Sequence, residues 1–349
     1  MNDTFTAKMI FRQILNDLSG KDAYRGVTLT YTWMANQFGH LSLGFFLTLI
    51  LNYVFEKFYK IPEPSLIGAI CSTIFWIIFE MFNFLFPLLL SRNSAKNNKK
   101  QYPFQPPWLN IAFDTFTDIC FFGIGSCIAG LYLHTHLALL ISLVALLFIA
   151  LYPTYYWYLS KMYLQNAKFP FQFRLSQWMG SITNNDRKKL YQFLHQSSNG
   201  NHLFILGARK TGKTSLAVGL SSEFSITNKA CYYVTAMKLF NILDVSEAEL
   251  NEDKNQIWNF RNSNILIIDD INPSLADCPK LVTPTLFYTM LCSNENTRLE
   301  NEKLLIDKNT IWVLGKDFEN LKSWMQMLEQ FGVKRDNIFS INLDSEINN

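Results

Sequence analysis

Four long apolar stretches within the first 160 residues constrain this 349-residue chain more than any other feature. They run over about 36 to 55, 65 to 90, 111 to 133 and 137 to 159. Each has roughly the 20 residues a helix needs to cross about 30 Å of hydrocarbon. Buried helices of a large soluble core rarely sustain that length four times in succession, so the pattern predicts four membrane-spanning helices. Whole-chain averages conceal this: the mean hydropathy is +0.06 and 17% of residues are charged. The apolar first part is averaged with a second part in which about twenty basic side chains are balanced by about twenty acidic ones. That balance, with a net charge of +3, gives no argument for nucleic-acid binding.

Flanking charge predicts how the spans lie. Lys8, Arg12, Lys21 and Arg25 precede the first; Arg92, Lys96, Lys99 and Lys100 lie between the second and third; Lys161, Lys168 and Arg174 follow the fourth. The other two loops carry only Lys57 and Lys60. Basic flanks stay on the cytoplasmic side, so both termini are expected in the cytoplasm, with the protein in a bacterial-type plasma membrane. Tyr152, Tyr155, Tyr156, Trp157 and Tyr158, with Trp108, are expected to form an aromatic belt at the inner interface. Residues 4 to 18 place Phe5, Met9, Ile10, Ile14 and Leu18 on one side of a short amphipathic helix, suited either to a membrane surface or to packing against a cytosolic domain. The first apolar stretch begins too late for a cleavable signal peptide. The six cysteines contain no C-x-x-C and are expected to be small buried thiols in a reducing compartment.

Beyond residue 200 the pattern becomes that of an α/β domain. Leu203-Phe-Ile-Leu206 reads as a buried strand, and Gly207-Ala208-Arg209-Lys210-Thr211-Gly212-Lys213-Thr214 is a complete G-x-x-x-x-G-K-T loop. Ser215 to Leu220 then opens a helix. The two glycines let the backbone curl, so that successive N–H groups and the positive end of the helix converge on phosphates. Residues 207 to 215 are therefore the expected phosphate site, with Lys213 as the mobile cation and the Thr214 hydroxyl on Mg²⁺. Further strands are predicted at 230–235, 264–270, 309–314 and 337–342, with helices near 281–291 and 317–330 and an exposed polar loop over 294–303. Five such strands alternating with helices imply a parallel sheet whose ligand sits at the carboxyl ends. The run Ile265-Leu-Ile-Ile268 ends in two carboxylates. Asp269 is placed to hold Mg²⁺ through water, and Asp270 to orient or deprotonate an attacking water. No base-recognition motif of the GTPase type is visible, so ATP and Mg²⁺ are the expected cofactors.

The resulting organisation is a leader over 1–34, a four-helix transmembrane domain over 35–160, a juxtamembrane connector over 161–200 and a P-loop NTPase domain over 201–349. The connector contains Phe169-Pro-Phe-Gln-Phe-Arg-Leu-Ser-Gln-Trp178, suited to lie against the membrane surface, and a helix over 187–196.

Inside the spans stand polar residues that are expensive in lipid unless satisfied. Gln37 and His40, Glu80 and Asn83, and Asp114 and Asp118 each share one helix face and fall in the cytoplasmic half. In the third span Gly125/Ala129 and Ser126/Gly130 are small residues four apart, which permit close helix contact. The pattern His40-x-x-x-Gly44, then Glu80, then Asp114-x-x-x-Asp118 with Gly123 resembles the VanZ-like membrane proteins over about a hundred residues. Read chemically, His40, Glu80, Asp114 and Asp118 could bind a divalent cation, relay protons, grip a head group, or hydrogen-bond across helices and fix the bundle register.

The second half resembles the AAA+ ATPases of the DnaA/DnaC/IstB initiator clade over roughly 185 to 343. The matching residues are Gly207 to Ala217, Tyr233-Val-Thr-Ala-Met-Lys-Leu-Phe240 and Ile267-Ile-Asp-Asp-Ile271. The resemblance implies an ATPase fold and an oligomer in which Arg335, before the last strand, completes a neighbour's site; a solvated arginine is the other reading. Gly315-Lys316-Asp317 departs from the clade's hydroxyl or amide sensor, and the helical lid is expected to be absent. These features predict a membrane-anchored ATPase, acting on its own bundle, on a protein partner or as a homo-oligomer. Two alternatives stand beside it: a membrane enzyme or permeation module regulated by nucleotide, and a scaffold that holds nucleotide without turnover.

Overall fold

The computed structural model describes residues 5–20, 26–96, 103–195, 199–243, 245, 257–272, 282–315 and 318–343. Lys21, Arg25, Lys99, Lys100, Cys278, Leu281 and the Lys316-Asp317 step lie outside them. The chain divides into two compact units. One gathers the described residues of 6–96 and 107–161; the other gathers Phe5, residues 103–106 and everything described from Met162 onward.

The first unit is helical. A short α1 (Ala7–Leu18) starts on Thr6, whose hydroxyl accepts from the Met9 N–H. α2 (Leu29–Val54) starts in the same way on Thr28 and runs on as a π-helical turn to Tyr59. α3 (Pro64–Lys96), α4 (Trp108–Leu133) and α5 (Leu137–Asn166) complete it. Four of these helices are long and apolar enough to cross a membrane: Leu29–Tyr59, Pro64–Leu90, Trp108–Leu133 and Leu137–Asn166. Phe46, Ile78, Phe148 and Leu151 are exposed on them, as lipid-facing positions require.

The inner face is closed by small residues. A Cβ on Gly125 of α4 would stand 1.9 Å from the Leu41 carbonyl oxygen of α2, and one on Gly44 of α2 would stand 2.2 Å from that of Phe122 on α4. At that separation the Gly44 carbonyl accepts from Thr48, from Ser72 of α3 and from Ser126 of α4, and the two serines bond each other at 3.1 Å. Three helices thus meet at one carbonyl, which supplies polar contact where lipid provides no hydrophobic drive between helices.

One expectation is corrected in this unit and another gains detail. The leader is a helix whose acid is buried: Asp17 is 2% exposed and accepts from Gln13, Thr28 and Tyr158. Phe11, Leu15 and Leu18 are exposed on it. The aromatic belt is also partial. Tyr152 and Tyr155 are exposed, but Trp157 and Tyr158 are buried, because Tyr158 has a buried partner in Asp17.

The second unit is α/β. After α6 (Asn184–His195) come β1 (His202–Leu206), α7 (Lys213–Ile226), β2 (Cys231–Thr235), α8 (Ala236–Leu243) and β3 (Ile265–Ile271). Then follow α9 (Pro284–Cys292), α10 (Glu295–Ile306), β4 (Asn309–Leu314), α11 (Phe318–Gln330) and β5 (Ile338–Asn342). All strand pairs are parallel, in the order β2-β3-β4-β1-β5. β1 and β4 are buried throughout and β3 nearly so, as strands covered on both faces must be.

Residues 294–303, expected as an exposed loop, belong to α10. Its inward side carries Thr297 and Asn301 as well as Leu304 and Leu305. Asn301 accepts from Arg261 and donates to the Leu291 carbonyl, so a polar face is buried without an apolar stripe to announce it.

In this core the neutral form of His202 is held at both ring nitrogens. Nε2–H donates to the Leu305 carbonyl at 2.8 Å, and Nδ1 accepts from the Trp312 indole at 3.0 Å. Burial pulls its pKa from 6.5 down to about 4. A folded state that resists protonation loses stability as pH falls through 6.5 toward 4, by about 3 kcal/mol for this group at roughly 1.4 kcal/mol per unit. Chemical unfolding of the full chain between pH 7.5 and 4.5 is therefore expected to show a steep acid slope that His202→Gln flattens; equal slopes would contradict it.

Candidate nucleotide site

β1 delivers the chain to the loop, and α7 begins at Lys213. Gly207 (φ +156°), Lys210 (+67°) and Gly212 (+85°) turn the backbone through conformations that favour glycine at the two ends. A Cβ on Gly207 would meet the Thr211 hydroxyl at 2.8 Å, and one on Gly212 the Trp178 indole nitrogen at 2.9 Å. Thr211 donates to the Ala208 carbonyl and closes the loop from inside. Lys213 Nζ donates to the carbonyls of Gly207 at 2.8 Å and Ala208 at 2.7 Å, so the cation is held at the centre of the loop.

The second half of the site comes from β3. Its pairing with β4 slips between Ile268 and Ile271, and Asp270 (φ +56°) and Asn272 (φ +50°) take left-handed conformations there. Such residues cost about 1–3 kcal/mol each and persist only where surrounding structure holds them. Here Asn272 is clamped by a reciprocal pair of bonds with the backbone of Val282. The irregularity separates the two acids. Asp269 is 1% exposed and points into the sheet's helical face, whereas Asp270 is exposed. Partial desolvation and the neighbouring Asp269 push the Asp270 carboxyl above its usual range, against an opposing pull from Lys213.

Arg209, Lys210, Gly212, Lys213, Thr214, Ser215, Asp269 and Asp270 line one cavity of about 450 Å³, with Phe171, Ile271, Val313, Leu314 and Gly315. It opens at the carboxyl ends of β1, β3 and β4, where parallel sheets take their ligands. The second unit has the fold of a P-loop nucleotide-binding domain.

No protein-family profile matches the chain, and no curated protein matches it. Among solved structures, the crystal structure of the DnaI is similar: it is 18% identical, the match covers 49% of this chain and 90% of that one, and the TM-score is 0.31. A likeness of that degree carries no argument about chemistry, which rests on the cavity itself.

Two residues in or beside the cavity were read differently in the sequence. Trp178 was expected on a membrane surface, but it is 2% exposed and its indole donates to the Gly212 carbonyl at 2.9 Å. The piece around the 3-10 turn Leu175–Gln177 lies along α7: Arg174 is bidentate to Glu223, Leu175 fits against Gly219, and Trp178 meets Gly212. Trp178 in turn packs against Phe104, which is 1% exposed and belongs to the stretch between α3 and α4. Tyr233, to which the sequence assigns no role at the site, donates its hydroxyl to Asp269 Oδ2 at 2.6 Å. Arg335 is not brought to the cavity of its own chain. It precedes β5, at the opposite end of the sheet, and pairs with Glu329 on an exposed surface.

In the helical unit, Gln37 Nε2 donates to Asp118 Oδ1 at 3.0 Å and His40 Nε2 lies 3.4 Å from the same oxygen. Glu80 bonds Asn83 and stands within electrostatic reach of His40, Asp114 and Asp118. The predicted residues do come together. Among the described residues, however, no three His, Cys, Asp or Glu side chains are grouped so as to hold a metal ion. Cross-helix hydrogen bonding is the role their geometry supports.

Proposed function

We propose that the chain is a membrane-anchored ATPase: four helices in a bacterial-type plasma membrane, both termini cytoplasmic, and a P-loop unit that binds and hydrolyses Mg-ATP. The single observation behind this is the convergence of Lys213, Thr214, Asp269 and Asp270 on one cavity at the carboxyl ends of a parallel sheet.

The donor set suits a hard cation. Magnesium takes oxygen ligands and few of them from protein, and the Thr214 hydroxyl and Asp269 carboxylate are of that kind. Bound there, Mg²⁺ would neutralise charge on the phosphates. The chain's own residues do the rest. Lys213 exchanges its two carbonyl partners for phosphate oxygens, and the loop N–H groups with the α7 N-terminus hold the remaining charge. Asp270, exposed at the cavity and with its carboxyl raised, accepts a proton from the water that attacks the γ-phosphorus as ADP departs. Arg335, exposed and far from its own cavity, is available to a neighbouring copy.

The test is steady-state ATP hydrolysis by the detergent-purified full chain beside Asp270→Asn. Turnover that falls by roughly 100-fold or more while Mg-ATP binding persists is expected. Equal turnover in the two proteins, or no nucleotide binding by the parent chain, would sink the proposal.

A further inference from the structure

Asp269 is held from two directions. Its Oδ2 accepts from the Tyr233 hydroxyl at 2.6 Å, and its Oδ1 accepts from the backbone N–H of Asp270 at 2.7 Å. One bond on each oxygen fixes the plane of a carboxylate that is 1% exposed. The two bonds come from independent sources, one a neighbouring strand and the other the strained turn at φ +56°.

The strand register explains why Tyr233 can reach. In the parallel pair β2–β3, Tyr233 lies opposite Ile267, and Asp269 is two residues further on, opposite Thr235. Side chains two apart share a face, so the tyrosine ring leans along the strands and brings its hydroxyl to the carboxylate. The half-buried ring packs against the core cluster that includes Leu216, Leu220 and Ile267. It therefore offers a donor on a rigid mount. It is not among the residues that line the cavity, and its hydroxyl is directed at Asp269.

We propose that Tyr233 is a positioning residue that sets the Asp269 carboxylate for the divalent cation of a bound Mg-nucleotide. This rests on the ATPase reading above. Partners that orient a metal-holding carboxylate are typically worth 10–100-fold in metal affinity. A tyrosine that merely satisfies a buried acid would instead affect stability and leave metal dependence alone.

The experiment is equilibrium ATP binding by the full chain, first in EDTA and then across a Mg²⁺ titration, for the parent, Tyr233→Phe, Asp269→Asn and the double variant. Expected for Tyr233→Phe is unchanged affinity in EDTA and a rise of roughly tenfold or more in the half-saturating Mg²⁺ concentration. On the Asp269→Asn background the same substitution is expected to add nothing, because the group it positions is gone. A Mg²⁺ dependence equal to the parent's, an additive effect in the double variant, or loss of ATP binding in EDTA with Tyr233→Phe would each make Tyr233 structural and overturn the assignment. A parent chain that binds no ATP would remove the ATPase reading instead, so the two failures are distinct.

Discussion

Replacing Lys213 by alanine is expected to weaken ATP binding to the full chain by roughly 100-fold, the equivalent of about 3 kcal/mol for lost charge-assisted bonds to phosphate. The geometry makes the lysine a prepared cation. Its ammonium is already drawn into the loop by the carbonyls of Gly207 and Ala208, so little side-chain order remains to be lost when phosphate oxygens replace them. The change also touches the fold. Gly207 is buried and Ala208 half-buried, and only the Ala208 carbonyl keeps the Thr211 hydroxyl, so the unfolding midpoint is expected to fall modestly beside the loss of affinity. Calorimetric or fluorescence titration with ATP, alongside an unfolding curve, reads both. Affinity within a few-fold of the parent would show that the loop does not hold phosphate through Lys213.

Gly125→Val should have the largest effect on the membrane unit. A carbon placed 1.9 Å from the Leu41 carbonyl oxygen has to retreat to about 3.3 Å, the usual C···O approach. That oxygen is backbone, so no rotamer relieves the contact, and α2 and α4 must separate by more than an ångström. Separation also stretches the bonds by which Ser126 and Ser72 meet the Gly44 carbonyl. Overpacking typically costs 1–3 kcal/mol, and with these hydrogen bonds added a loss of about 3 kcal/mol or more is expected. Gly39→Val is the control, since a Cβ there meets nothing within 4 Å. Unfolding in mixed micelles with increasing SDS compares the two. Equal midpoints would mean that the α2–α4 approach is not what holds the bundle.

How much of this was visible in the chain depends on how local each signal is. The four long helices follow from length and hydropathy alone; the second and third match closely, while the first starts and the fourth ends about seven residues beyond the predicted ranges. The strands at 203–206 and 265–268 were visible because buried parallel strands are short apolar runs, and the loop motif and Asp-Asp ending follow them directly. α10 was not visible, because the first part of the face it buries is polar, Thr297 and Asn301, and the partners of Asn301, Arg261 and Leu291, are forty and ten residues away. Trp178 was misread for a related reason. An aromatic near the end of a membrane span is equally at home in an interface, and only a carbonyl 34 residues later explains its burial.

By itself, then, the sequence determined the two-part architecture, the glycine-rich loop between β1 and α7 and the acids that share its cavity, since each is written in contiguous residues obeying a helical, extended or turn period. Tertiary structure alone decided which side chains serve those groups. The Tyr233–Asp269 bond depends on β2 pairing with β3 in one register, and the Gly44 knot depends on three helices meeting at one height. Arg335 lies at the far end of the sheet because α11 returns the chain there before β5. Strand order, register and helix approach are set by packing between residues distant in the chain, and no local pattern carries that information.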